Sequence, residues 1–208
     1  MRIRIFFSKN AAMRFTGHLD LHKTWERIFR RAGLPLAYSQ GFHPQPRLNL
    51  ACALPLGFTS QAEILDAWLE YPMPLQDVQI ELDRAAPPGI SIARIEVVDQ
   101  KEPALQTQVS SSEYIINFLT PVSELDQKLS EIISAESISR RWRERTYDLR
   151  PLIEELRRLP DTQAGNASVL ALLAAREGAT GRPEELVQAL GFDPNLTRVH
   201  RSRLLFRE

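Results

Sequence analysis

The sequence predicts an α+β chain of two tandem βαββαβ units with antiparallel sheets, and three observations predict it. Apolar residues recur at helical spacing over 18–32 and 74–86, short alternating or apolar runs flank both stretches, and a polar, aperiodic segment at 100–112 separates two halves of similar element order. With 208 residues, 43% hydrophobic and 25% charged, the chain can bury a sizeable core and is not of disordered composition.

In the first half, residues 2–8 alternate basic side chains with Ile3, Ile5 and Phe7, a strand pattern that Phe6 interrupts. Residues 18–32 place Leu21, Trp25, Ile28, Phe29 and Ala32 on one helical stripe. Thr16 is the expected N-cap, Asp20 sits near the positive end of the dipole, Gly33 supplies a left-handed stop and Pro35 bars continuation. The Pro- and Gly-punctuated loop 38–46 leads to a second strand at 47–54, where Leu48, Leu50, Cys52 and Leu54 alternate. Residues 62–71 form a third strand with Ile64, Leu65 and Trp68. A helix at 74–86 follows on Val78, Leu82 and Ala85, ended by Pro87-Pro88-Gly89, and 90–98 is the fourth strand. This is the split, ferredoxin-like order, and it defines a first domain at 1–100 with a basic helix and a Pro-rich loop.

The second half begins the same way. A strand at 113–119 precedes a helix at 121–135 with Leu125, Leu129, Ile132 and Ile133 inward. Residues 138–147 are extended, and Asp148-Leu149-Arg150-Pro151 is a turn with Asp148 and Arg150 as its fixing pair. The stretch 152–159 suits a helix or a strand, 168–176 is a strand of small apolar residues, and Pro183 opens a helix that Gly191 stops. A strand at 199–206 closes a second domain at 112–208, again ferredoxin-like with an extra hairpin.

Lys plus Arg equals Asp plus Glu at 26 each, but the charges are partitioned. Residues 1–50 carry nine basic residues against Asp20 and Glu26, and residues 51–135 carry four against thirteen acids. Arg140, Arg141, Arg143 and Arg145 then fall within six positions. Such asymmetry predicts one basic and one acidic face. The single cysteine, Cys52, excludes an internal disulfide, a four-cysteine zinc site and a chain-borne iron–sulfur cluster, and no cofactor is expected. No apolar run approaches the roughly 20 residues of a membrane span, and the N-terminus lacks signal-peptide character. The expectation is a soluble cytoplasmic protein without a membrane partner.

Four constellations are candidates for chemistry. Lys23, Arg27, Arg30 and Arg31 share one face of the first helix, where their mutual repulsion is relieved if an anion lies across them; a solvated surface is the alternative. The loop with Tyr38, Phe42, His43 and Arg47 combines ring faces, an imidazole and a guanidinium suited to bases and phosphates, or else its aromatics plug the core. His18 and His22, one helical turn apart, with His43, are weak candidates for metal binding or for general acid–base cleavage of RNA. Arg141 and Arg143, with the basic terminal strand at 198–203, extend the anion face. No Ser/His/Asp triad, phosphate-cradling glycine loop or EF-hand loop is present.

Several of these segments together carry a resemblance. Arg14-Phe15-Thr16-Gly17-His18-Leu19-Asp20, Arg30-Arg31-Ala32-Gly33-Leu34-Pro35, Ala37-Tyr38-Ser39-Gln40-Gly41-Phe42-His43-Pro44, Leu54-Pro55-Leu56-Gly57, Tyr147-Asp148-Leu149-Arg150-Pro151 and Gly181-Arg182-Pro183-Glu184 resemble the radical-SAM-linked family. That is a bacterial domain encoded beside or fused to a B12-binding-type radical S-adenosylmethionine protein. The resemblance implies a radical SAM partner, and Cys52 alone leaves the radical chemistry to that partner. The expected role is an accessory RNA-binding or substrate-presenting module in RNA modification or processing. The alternatives are a metal-independent endoribonuclease using His18, His22 or His43, and a protein–protein adaptor that docks the radical SAM enzyme through the acidic 60–135 surface.

Overall fold

In the computed structural model, which describes residues 1–142 and 145–207, the chain is α+β and divides into two units, Met1–Val109 and Ser110–Glu208. The first unit runs β1 (Arg2–Lys9), α1 (His18–Arg31), β2 (Leu48–Leu50), β3 (Thr59–Trp68), α2 (Leu75–Ala85), β4 (Ile90–Val98) and a short α3 (Leu105–Gln108). Its strands lie in the order β4-β1-β3-β2, each neighbouring pair antiparallel.

Strand register sorts the side chains of this sheet onto two faces. Ile3 lies opposite Ala67 and Ile5 opposite Leu65, while Leu48 and Leu50 meet the same two β3 residues from the other side. With Phe7 they form the face that α1 and α2 cover through Leu21, Trp25, Ile28, Phe29, Val78 and Leu82. Phe7 meets the fully buried Trp25 edge to face at 4.8 Å between ring centroids. Removing such a buried ring costs about 3–5 kcal/mol.

The opposite face is polar yet buried. Arg2 and Arg4 both grip Asp66, at 2.6 and 2.8 Å, and all three are nearly inaccessible. Over this face runs the segment 99–108. Arg2 Nη1 and Nη2 donate to the carbonyls of Asp99, Glu102 and Pro103 at 3.3, 2.7 and 3.0 Å, and the Asn49 and Gln106 amides pair. Leu105 is fully buried. The expected linker at 100–112 is therefore a strap on the sheet through 108, and β5 begins at Val109. Its carbonyls are spent on Arg2, which composition alone conceals.

Other elements are displaced by local causes. α1 starts from Gly17 with no side-chain cap, so Thr16 is not the N-cap; its hydroxyl instead points at Met13 Sδ, 3.7 Å away. Gly33 does supply the left-handed stop, at φ 65°. β2 spans only Leu48–Leu50, because after Leu50 the chain leaves the ladder toward the turn whose Gly57 N–H donates to Arg14 O at 3.0 Å.

The second unit runs β5 (Val109–Phe118), α4 (Leu125–Ser134), β6 (Ser139–Trp142), β7 (Arg145–Asp148), β8 (Ile153–Leu159), β9 (Ser168–Arg176), β10 (Ala179–Thr180), α5 (Pro183–Ala189) and β11 (Thr197–Phe206). β9 has β5 on one side and β8 and β10 on the other, β11 adjoins β5, and β6–β7 form a separate hairpin. The ambiguous 152–159 stretch is thus mainly strand. α4 starts four residues later than its sequence pattern, since Glu124 takes the left-handed conformation at φ 56°. Asp148 fixes the turn by accepting from the Ile138 and Arg150 backbone N–H groups at 2.7 and 2.9 Å. These two bonds hold its carboxyl below the usual range. The Arg150 charge also favours the Asp148 carboxylate, while the Arg150 guanidinium donates to the Ile133 carbonyl near the C-terminus of α4, at 2.8 and 3.2 Å.

Candidate nucleic-acid interface

α1 buries one stripe and leaves the other open. Lys23, Arg27, Arg30 and Arg31 are all exposed, and among the described residues no hydrogen bond or carboxylate engages any of their side chains. From Lys23 to Arg31 they span about 12 Å of helix at 1.5 Å per residue. Arg31 also lines a cleft of about 350 Å³ with Glu81, Arg84 and Pro87. Like charges at these spacings cost a few tenths of a kcal/mol per pair, so the stripe is left uncompensated at some cost to the fold.

The remaining basic residues of this unit contrast with it. Arg2, Arg4 and Lys9 counted toward the basic balance of residues 1–50 but are interior: the arginines are bound to Asp66, and the Lys9 ammonium donates to the carbonyls of Phe58 and Arg14 at 3.1 and 3.3 Å. Arg84 pairs with Glu81 and Arg94 with Glu96. Arg14 stacks on Phe15, 4.4 Å from the ring centre.

The loop after α1 is an anchored excursion. Tyr38 bridges to Pro46, Ser39 N–H donates to Gln45 O at 2.8 Å, and Gly41 at φ 137° turns the tip. Tyr38 is half exposed and Phe42 wholly so, which rules out the core-plug alternative for Phe42. Arg47 does not join the α1 stripe. Its neighbour Leu48 faces the helices, so Arg47 points to the other face, where it stacks 4.8 Å from the centre of the Trp68 ring. Parity along β2 separates the two sets of charge that the sequence places in one region.

The histidines divide similarly. His22 Nδ1 lies 3.0 Å from Glu26 Oε1 and Nε2 lies 3.3 Å from Leu48 O, so both ring nitrogens tie α1 to itself and to β2. Both ring nitrogens of His22 thus have partners within the unit. His18 is half buried one turn away, and His43 stands exposed in the loop. Among the described residues no cluster of three or more His, Cys, Asp or Glu can hold a metal ion.

In the second unit, Arg141 is exposed on β6, and Arg143 lies outside the described residues. In the terminal basic strand, Arg201 is buried against the Tyr114 ring, Arg203 pairs with Glu113 at 3.1 Å, and Arg198 is exposed. The motifs at 146–151 and 181–185 do meet. Burial, then the charge of Glu185, pushes the Tyr147 phenol up, while the adjacent Arg182 pulls it back. Burial likewise pushes the Glu184 carboxyl up.

Sequence reasoning passed over three groups around the start of α1. Phe15, Leu19 and Leu56 are 70%, 76% and 62% exposed. The signal for Leu19 was available, since it lies off the stripe defined by Leu21, Trp25, Ile28 and Phe29.

Fold and site together define an α+β protein that presents a cationic helix face whose Lys and Arg side chains have no ion pair among the described residues. Residues 2–183 match the family described as "Uncharacterized protein conserved in bacteria (DUF2344)", and the chain belongs to that family. No curated protein sequence matches it significantly. In fold it is similar to a chain of the crystal structure of a Cbf5-Nop10-Gar1 complex, at 11% identity and a TM-score of 0.52, over 97% of this chain and 48% of that one. A chain of the archaeal box H/ACA sRNP Nop10-Cbf5 complex is similar at 10% identity and a TM-score of 0.43, over 99% and 47%. The chain thus spans about half the length of these solved chains. Among the described residues no helix is long and apolar enough to cross a membrane.

Proposed function

We propose that this chain is an RNA-binding or substrate-presenting module of two ferredoxin-like units, 1–100 and 112–208, that holds RNA against the exposed face of α1. The observation that carries the reading is the unpartnered set Lys23, Arg27, Arg30 and Arg31 in a unit whose other arginines are paired or stacked. These four contact phosphates. Phe42 and Tyr38, on a loop already ordered at its neck, stack on bases at little further entropic cost. Arg141, exposed on β6, is a further phosphate contact, and Arg143, basic in sequence, is proposed with it. The strand order β4-β1-β3-β2 supports the ferredoxin-like assignment of the first unit.

The test is binding of cellular RNA by the wild type and by Arg27→Glu with Arg31→Glu across a salt series. Each lost single-strand phosphate contact lowers the log–log salt slope by about 0.7. The expected result is a slope reduced by about 1.4 and at least tenfold weaker binding. Equal affinity and slope in both proteins would overturn the reading. The finer assignment, an accessory role beside a radical SAM enzyme, rests on the motif resemblance and on Cys52 being the sole cysteine. Nuclease-resistant co-purification of such an enzyme supports it, and loss of the partner on nuclease treatment counts against it.

A further inference from the structure

The cationic face of α1 carries one carboxylate. Residues 1–50 contain two acids, and Glu26 is bound by His22. That leaves Asp20, exposed at the first turn, where only its backbone carbonyl is engaged, by Thr24 Oγ1 at 2.8 Å. Among the described residues no hydrogen bond or ion pair reaches its carboxylate. At offsets of 3, 7 and 11 residues, Lys23, Arg27 and Arg31 continue the stripe that Asp20 begins. Its Oδ2 lies back toward the helix start, 4.0 Å from where a Cβ on Gly17 would sit, without a hydrogen bond there. At the same end of α1, Phe15, with Arg14 stacked on its ring, and Leu19 hold apolar surface in solvent, and Leu56 is brought there by the Gly57–Arg14 bond.

A carboxylate on a polyanion-binding face repels phosphate, and the dipole of α1 rewards it by less than 1 kcal/mol at an exposed site. Contact with a base gives it a role that neither effect supplies. An ionised carboxylate only accepts hydrogen bonds. On the Watson–Crick edges of unpaired bases, adenine, cytosine and uracil each set an acceptor beside their N–H donor, which repels a second carboxylate oxygen. Guanine alone offers adjacent donors, N1–H and the N2 amino group, which match both oxygens at once.

We propose that Asp20 reads an unpaired guanine in the strand that α1 holds, with Phe15 and Leu19 as the apolar floor under the base. This rests on the RNA-binding reading and names its substrate class, a single strand bearing an exposed guanine. The experiment measures binding of two oligouridylates, one carrying a central guanosine and one a central inosine, which keeps N1–H but lacks the N2 amino group. The proteins are the wild type, Asp20→Asn and Arg27→Glu with Arg31→Glu, and thermal melts control for helix stability. A bidentate contact gives about tenfold discrimination. The wild type is expected to prefer guanosine by about that factor, Asp20→Asn to bind both oligonucleotides alike, and the double variant to weaken both. Equal wild-type binding of the two, or a preference that survives in Asp20→Asn, overturns the Asp20 assignment and leaves the phosphate stripe standing. Failure of the wild type to bind either oligonucleotide overturns both readings.

Discussion

The two units treat their arginines differently. In the second, Arg157 pairs with Glu155, Arg158 with Asp126 and Asp161, Arg176 with Glu154 and Arg203 with Glu113, while Arg150 holds the end of α4. In the first, α1 lines up Lys23, Arg27, Arg30 and Arg31, and among the described residues no ion pair holds any of the four. Arginine is plentiful in both, so its abundance does not mark a binding face. On α1 itself, Glu26 is turned to His22 and Asp20 stands exposed at the first turn without an ion pair among the described residues. A cluster of cations becomes a site when local geometry withholds its partners.

The comparison breaks most visibly where arginines are held in the interior. Asp66→Ala leaves Arg2 and Arg4 buried without their shared anion and releases the grip of β1 on the strap at 99–108. Removing one partner of a buried ion pair costs about 3–5 kcal/mol. Denaturant unfolding is expected to show a midpoint lowered accordingly; a loss below about 1 kcal/mol would mean that these arginines find water or other anions and are no more structural than those of α1.

Charge reversal on α1 gives the complementary result. Arg27→Glu with Arg31→Glu removes like-charge contacts, so the melting temperature should hold or rise slightly while RNA binding weakens at least tenfold. A folding defect in this variant would place the stripe among the structural charges and erase the contrast between the units.

Much of this contrast was legible in the sequence, and the part that was not has a common cause. The stripe Leu21, Trp25, Ile28 and Phe29 is a local, 3.6-residue pattern, and it put the four cations on the opposite face correctly. Strands Ile90–Val98 and Ser168–Arg176 match their sequence limits because Pro/Gly or polar residues bracket continuous apolar runs. The burial of Arg2 and Arg4 depends on Asp66, more than sixty positions away, and nothing local announces it. Arg47 was grouped with α1 because the two are close in sequence; the parity of β2, set by Leu48 and Leu50, sends it to the other face. His22 looked available because Leu48 O, its second partner, comes from a different element. Composition and periodicity see single elements, whereas the fate of a charge is decided by pairing between elements.

A milder probe uses pH. Asp148 is held below its usual range first by the Ile138 and Arg150 N–H groups. A carboxylate with a depressed folded-state pKa adds stability above its unfolded pKa, near 3.9, and loses it as pH falls through the folded value. Wild-type melting temperature should therefore drop on going from about pH 5 to pH 2, with Asp148→Asn showing a shallower drop over the same window. Parallel curves would mean that the turn between β7 and β8 is held by its backbone bonds alone, without the carboxylate.

The smallest expected effect is the most discriminating for the comparison. Arg157 lies on β8 with its guanidinium Nε 2.9 Å from Glu155, both side chains about half exposed. An exposed pair of this kind contributes about 0–1 kcal/mol, and Arg157→Ala should leave both the unfolding midpoint and RNA binding nearly unchanged. The same truncation at Arg27, also exposed, should leave the unfolding midpoint nearly unchanged and weaken RNA binding severalfold. Matched losses at the two positions would show that RNA responds to total positive charge, wherever it sits. A loss confined to Arg27 ties binding to the unpartnered state of the α1 cations, because the two arginines carry the same charge and differ in whether a carboxylate already occupies them.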